Sequence, residues 1–217
     1  MKEYFSFLHL KPWKSYALYT FVDIGRFNSS NLLPPPPSPV FRVISVGALR
    51  RQKNYTYLVE AFGRIKDLPI ELHIYGRGDL EEPLRRQIES TGARVILKGQ
   101  HKEIEKIIPQ YDLYVMSSSF EGFSLSVLEA MAMGMPLLLS DIPSFREQAE
   151  GVAAFFPLDD AGQLVKKLQE LAAMPATERK AMGERARRKA VAEFTLEKHM
   201  EGLRKIYAGA LQSNDAA

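Results

Sequence analysis

From residue 41 to residue 156, short apolar, β-branched runs alternate with longer amphipathic stretches, and this pattern limits the fold more than any other feature of the chain. The runs at 41–46, 70–75, 94–97, 112–116 and 136–139 read as strands, with 153–156 a weaker sixth. Amphipathic spacing predicts helices at 54–66, 80–90, 102–108, 125–133, 144–149, 160–173, 177–193 and 196–211, with Thr195 placed to cap the last. A strand such as Pro136-Leu137-Leu138-Leu139 is apolar along its whole length, so both of its faces must be covered. Right-handed crossover helices supply that cover, and the predicted fold is an α/β, doubly wound, Rossmann-like parallel sheet.

Two segments fall outside the alternation. Leu32-Leu33-Pro34-Pro35-Pro36-Pro37-Ser38-Pro39 reads as an extended polyproline connector, because proline lacks a donor and fixes φ. The residues before it are too few for a core of their own, with one strand-like piece at 16–22, and read as the tail of a preceding domain behind a leader at 1–14. The expected division is therefore 1–40 as remnant and linker, 41–194 as the ligand-binding domain and 195–217 as a C-terminal helix and tail.

With 29 Lys+Arg against 26 Asp+Glu, the net charge of +3 gives no nucleic-acid footprint. The absence of cysteine excludes disulfide scaffolds and thiolate chemistry and agrees with a cytoplasmic setting. No apolar run is long enough to span a bilayer, and no signal peptide is evident. His9, His73, His101 and His199 are scattered, so no metal site is expected. The helix at 177–193 carries Arg179, Lys180, Arg185, Arg187, Arg188 and Lys189, which would suit either a solvated face or peripheral contact with acidic lipid.

In a doubly wound sheet ligands bind beyond the carboxyl ends of the strands, here the loops opening at Gly47, Gly76, Gly99, Ser117 and Ser140. The first, Gly47-Ala48-Leu49-Arg50-Arg51-Gln52-Lys53-Asn54, places three cations ahead of a helix, as a phosphate site or as solvated surface charge. Tyr75-Gly76-Arg77-Gly78 begins like a dinucleotide fingerprint, but Glu81 stands at the third glycine position, which argues against a nicotinamide cofactor. Its glycines make either a tight turn or a close ligand approach.

The fourth loop carries most. In Ser117-Ser118-Ser119-Phe120-Glu121-Gly122-Phe123-Ser124-Leu125-Ser126-Val127-Leu128-Glu129, seven residues separate the two glutamates. If a helix starts near Ser124, the amides of Gly122, Phe123, Ser124 and Leu125 offer free N–H groups to a diphosphate, with one carboxylate ahead of the helix and one inside it. A phosphate repels carboxylates, so these would accept hydrogens from neutral sugar hydroxyls, and the combination suggests a nucleotide-sugar ligand. Glu129 also fits a capping box, Ser126-Val127-Leu128-Glu129, and Glu121 an exposed loop acid.

On this loop, on the exit Ala130-Met131-Ala132-Met133-Gly134-Met135-Pro136, on Phe21-Val22-Asp23-Ile24-Gly25-Arg26-Phe27 and on Val46-Gly47 with Gln52-Lys53-Asn54, the chain resembles the C-terminal, donor-binding domain of retaining GT-B glycosyltransferases of the family 4 type, over residues 19–207. The resemblance implies transfer of a sugar from a UDP- or GDP-sugar to an acceptor hydroxyl with retention, without a metal or other cofactor. It implies Glu121 on the donor sugar, Lys53 on the diphosphate, Glu129 on the ribose and the 122–125 amides on the phosphates. Gly47, Arg50, Gly76 and Gly99 complete the expected donor site, the loop after Gly99 meeting the base. Ala48 stands where the family commonly has Arg, which Arg50 or Arg51 would offset, and Ile142-Pro143-Ser144 stands where glycines are common. The acceptor domain would precede residue 16, so turnover by this chain alone is expected to be slight. Two alternatives remain: a noncatalytic assembly subunit pairing with a separate acceptor-domain chain, and a GT-B-fold epimerase.

Overall fold

The computed structural model describes residues 17–29 and 38–214, without the side chains of 211–214. The expected leader and the polyproline run, apart from Ser38 and Pro39, lie outside the described residues. Six strands, β1 (Phe41–Val46), β2 (Ile70–Tyr75), β3 (Val95–Gly99), β4 (Leu113–Met116), β5 (Leu137–Ser140) and β6 (Ala154–Phe156), form one sheet in the order β3-β2-β1-β4-β5-β6. Every pairing is parallel. The chain winds outward from β1 to β3, then returns beside β1 as β4 and winds the other way, so the topological switch point lies between β1 and β4.

The helices are α1 (Tyr55–Arg64), α2 (Glu81–Thr91), α3 (Ile104–Ile107), α4 (Leu125–Ala132), α5 (Pro143–Ala149), α6 (Ala161–Ala173), α7 (Ala176–Glu193) and α8 (Leu196–Asn214). They divide between two cores, one on each sheet face. Val43, Leu113, Val115 and Leu138 pack with α1, α2 and α6. Ile44, Tyr114, Met116, Leu137 and Leu139 pack with α4, α5 and α7. Neighbours along a strand therefore enter opposite cores, which is why these strands are apolar at consecutive positions.

Two expectations need correction. Residues 17–22 are not a strand: they follow no sheet edge and lie against the α7–α8 junction, where the Val22 N–H donates to Phe194 O at 3.0 Å. A β-propensive run without a strand neighbour has no ladder to join. The helix expected at 102–108 is a single turn, Ile104–Ile107, followed by a 3-10 turn at Ile108–Gln110 containing Pro109, whose missing N–H stops further α-helix.

Candidate functional site at the switch point

The loops after β1 and β4 meet across the switch point. Beyond β1, a 3-10 turn at Arg51–Lys53 ends on Asn54 with φ 52°, which turns the chain into α1. Beyond β4 the serines knit the two loops together. Ser117 Oγ donates to Lys53 O at 2.9 Å, the Ser119 N–H donates to Gln52 O at 2.9 Å, and Ser140 Oγ from β5 donates to Ser118 O at 2.6 Å. Lys53 is thereby delivered to Glu121: Nζ donates to Oε1 at 2.6 Å, with side-chain exposures of 13% and 8%. Ser118 Oγ donates to the same carboxylate oxygen at 2.7 Å. The loop cation and the first glutamate are thus one hydrogen-bonded, largely enclosed pair.

Helix α4 begins one residue after Ser124, whose Oγ accepts from the Val127 N–H at 3.5 Å. Ser124 being the cap, Glu129 is not the third residue of a capping box, and that reading of Ser126 to Glu129 is set aside. Four free amides were expected across 122–125, but that of Ser124 is taken. Gln148 of α5, fully buried, accepts from the Ser124 N–H at 3.3 Å and donates to Ser124 O at 2.9 Å. The amide edges of the two groups match, and a buried glutamine must satisfy both of its ends. Phe123 is also held, its ring 5.2 Å from Phe194 and 5.4 Å from Tyr19.

The two carboxylates bear on neighbouring phenols beneath the end of β1. Tyr55 donates to Gly47 O at 3.3 Å, Tyr114 donates to Val46 O at 3.3 Å, and both phenol pKa values are raised, first by burial. Glu121 contributes to the shift of Tyr55 and Glu129 to that of Tyr114, while Tyr55 itself acts on Tyr114. Desolvation pushes the Glu129 carboxyl up to about 7; the positive charge of Arg26 opposes this and the negative charge of Glu105 adds to it.

Beside this pair lies an open cleft of about 320 Å³ at the carboxyl ends of β1, β2 and β3. Val46, Gly47 and Ala48 form one wall, Tyr75, Gly76 and Arg77 a second, and Gln100, His101 and Ile104 close it. The Gly76 N–H donates to Gly99 O at 2.9 Å, and Gly99, at φ 69°, turns the chain toward Gln100. The close approach at Gly76 is to protein: an added Cβ would stand 1.9 Å from Gly47 O. Ala48 lies in the lining, and the cation beside it there is Arg77, not Arg50 or Arg51. Arg50 and Arg51 are exposed where the chain turns toward α1. Sequence reasoning gave no role to Gln148, the loop serines, Arg77 or Arg26, although Arg26, Arg77 and Ser117 to Ser119 lay inside quoted motifs; nothing marked Gln148.

A doubly wound α/β domain with loops joined across its switch point belongs to the large class that holds ligands at this edge of the sheet. The chain belongs to the family described as Glycosyl transferases group 1, whose model matches residues 35–189. It is similar to the UDP-N-acetylglucosamine--peptide N-acetylglucosaminyltransferase GtfA subunit of Streptococcus gordonii, 35% identical over 115 residues, covering 50% of this chain and 22% of that protein. Among solved structures, Anabaena HepE with UDP and glucose superposes with a TM-score of 0.83 at 16% identity, over 95% of this chain and 60% of that one. The GtfA/B complex superposes with a TM-score of 0.70 at 26% identity, over 81% of this chain and 37% of that one. The matched half of the chain therefore covers about a fifth of the length of the first curated relative.

Proposed function

We infer that the chain is the donor-binding domain of a retaining glycosyltransferase of the family 4 type, moving a sugar from a nucleotide diphosphate sugar to an acceptor hydroxyl. The observation that carries this reading is the enclosed Lys53–Glu121 pair set beside the start of α4 at the switch point. As the bond between the anomeric carbon and the diphosphate oxygen breaks, negative charge grows on the diphosphate. Lys53, Arg77 and the free amides at the head of α4 meet that charge. Glu121 turns its second oxygen to the sugar hydroxyls, Glu129 accepts from the ribose, and the 100–104 segment flanks the base. The bond from the acceptor oxygen to the anomeric carbon forms on the face the diphosphate leaves, and the acceptor proton passes to the departing phosphate oxygen. No step in this scheme calls for a metal or other cofactor.

Calorimetric titration with UDP and GDP tests the reading. One of them binds, and Lys53→Ala and Glu129→Ala each weaken binding about tenfold or more, about 1.4 kcal/mol. Binding of neither nucleotide, or unchanged affinity in both variants, removes the assignment. In this reading the domain binds the donor and an acceptor domain, in cis or as a second polypeptide, supplies the other half of the machinery, so sugar transfer is expected where both are present. The second reading, an assembly subunit, draws on the relative named as a subunit and on the GtfA/B complex. The proposed setting is cytoplasmic, and no helix among the described residues is long and apolar enough to cross a membrane. Peripheral lipid contact through α7 would rest mainly on Lys180, Arg185 and Arg188, which are exposed, because Arg179, Arg187 and Lys189 donate to main-chain carbonyls.

A further inference from the structure

Residues 17–29 lie ahead of the family match, which begins at residue 35, yet one of their side chains bears directly on the loop between β4 and α4. Val22 and Phe27, both buried, anchor the segment in the core below α4. His199 Nδ1 of α8 donates to Tyr19 O at 2.7 Å and fixes the backbone there. The Tyr19 ring stands edge-on to that of Phe194, at 5.8 Å and 88°, and lies 5.4 Å from that of Phe123. Phe123 and Phe194 are 5.2 Å apart, so the three rings close on one another. The Tyr19 hydroxyl donates to Glu147 Oε1 of α5 at 2.5 Å. Helix α5 therefore holds the loop from two consecutive residues: Gln148 grips the Ser124 peptide directly, and Glu147 grips Tyr19, which packs on Phe123.

On the other side of Phe123 the loop is open. Among the described residues, nothing lies within 4 Å of where a Cβ on Gly122 would stand. The seat of the Phe123 ring thus decides where the Gly122 and Phe123 peptides point, and edge contacts between aromatic rings are directional. Resting on the donor-binding reading above, we propose that Tyr19 is a positioning residue for the donor diphosphate: its ring seats Phe123, and Phe123 aims these two amides at a phosphate. Gly122 and Phe123 directly follow Glu121, which that reading places on the sugar, so the phosphate they meet is the one next to the sugar. The nucleoside, laid along residues 100–104 in the same reading, does not depend on the three rings.

That independence distinguishes positioning from support of the fold. Calorimetry measures the affinity of the tighter-binding diphosphate, UDP or GDP, and of the matching monophosphate, UMP or GMP, in wild type, Tyr19→Leu and Tyr19→Phe, with melting curves in parallel. Wild type prefers the diphosphate. Tyr19→Leu lowers that preference about fivefold by weakening the diphosphate, while the monophosphate stays within about twofold of wild type. Tyr19→Phe keeps both ring contacts, gives up only the bond to Glu147, and holds the preference within about twofold of wild type. Tyr19 is 37% exposed, so Tyr19→Leu empties no core position; Tyr19→Met takes its place if it does not fold. Parallel losses for both nucleotides would mean that the ring only supports the fold, and would overturn the proposal. An unchanged preference in folded Tyr19→Leu, or a loss in Tyr19→Phe as large as in Tyr19→Leu, would overturn it while leaving the donor-site reading intact. Absence of any nucleotide binding by wild type would overturn both.

Discussion

Glu129 shows at the scale of one side chain how a carboxylate proposed to meet the donor is held at the expense of stability. Its folded-state pKa of about 7 lies above the ordinary value of 4.5 because burial removes water from the carboxylate. A raised carboxyl pKa stabilises the fold where the unfolded chain would still be protonated, and that stabilisation is lost as pH rises through the window from 4.5 to 7. Above 7 the folded protein carries a poorly solvated charge. Glu129→Gln removes that charge, so it should raise thermal stability at pH 8 by roughly 1 to 3 kcal/mol and leave it nearly unchanged at pH 4, while weakening nucleotide binding. Parallel melting curves at the two pH values check this. Gln148 is the converse case, a buried group whose two hydrogen bonds hold the head of α4. Gln148→Leu leaves the Ser124 N–H unpaired beneath α5, while Ser124 O keeps the bond from the Leu128 N–H at 3.1 Å, and should cost about 1 to 3 kcal/mol in chemical denaturation, with weaker nucleotide binding in the folded fraction.

Between elements, α7 makes a close approach to the end of α4. Helix α4 stops at Gly134, φ 72°, where the Gly134 N–H donates to Met131 O and the Met135 N–H donates to Ala130 O. Helix α7 brings Gly183 onto that turn, so close that an added Cβ would stand 1.9 Å from Gly134 O. Gly183→Ala must therefore push the two helices apart, although alanine is the better helix former. The expected outcome is a loss of about 3 kcal/mol or more, read as a lowered melting temperature, and an unchanged or raised stability would refute the packing argument. Arg187, four residues along α7, donates to Ala132 O at the end of α4, to Phe27 O at 3.3 Å and to Asn28 Oδ1 at 3.0 Å. One guanidinium thus joins α7, the open carbonyls of α4 and the N-terminal segment. This is why the basic stripe of α7 is only partly available to solvent.

Across the whole molecule, residues 17–29 share the core that lies below α4, α5 and α7. Phe27→Ala should lower stability by about 3 to 5 kcal/mol in denaturant titration, as loss of a buried aromatic ring does elsewhere; an effect below 1 kcal/mol would mean that the segment is only laid on the surface. Five of the six strands were legible in the residues almost to their ends, and the weaker sixth also formed, at Ala154–Phe156. A run apolar at consecutive positions and bounded by glycine, serine or proline is a local signal that needs no distant partner. The same logic misplaced residues 17–22, where local propensity pointed to a strand but no sheet edge was at hand. For the candidate site, the motif residues Lys53, Glu121 and Glu129 stood out by type and spacing. Their partners did not: Lys53 meets Glu121 across 68 positions and Arg26 meets Glu105 across 79. Gln148 lies within one further crossover of Ser124, yet nothing in its neighbours marks it. What the residues determined by themselves was the alternation of elements, the two-faced burial of the strands and the chemistry available at their carboxyl ends, because these depend on neighbours a few positions away. The tertiary structure decided which loops face each other, which amides stay free and which charges share a low-dielectric pocket, because those follow from strand order and the reversal of winding at β1.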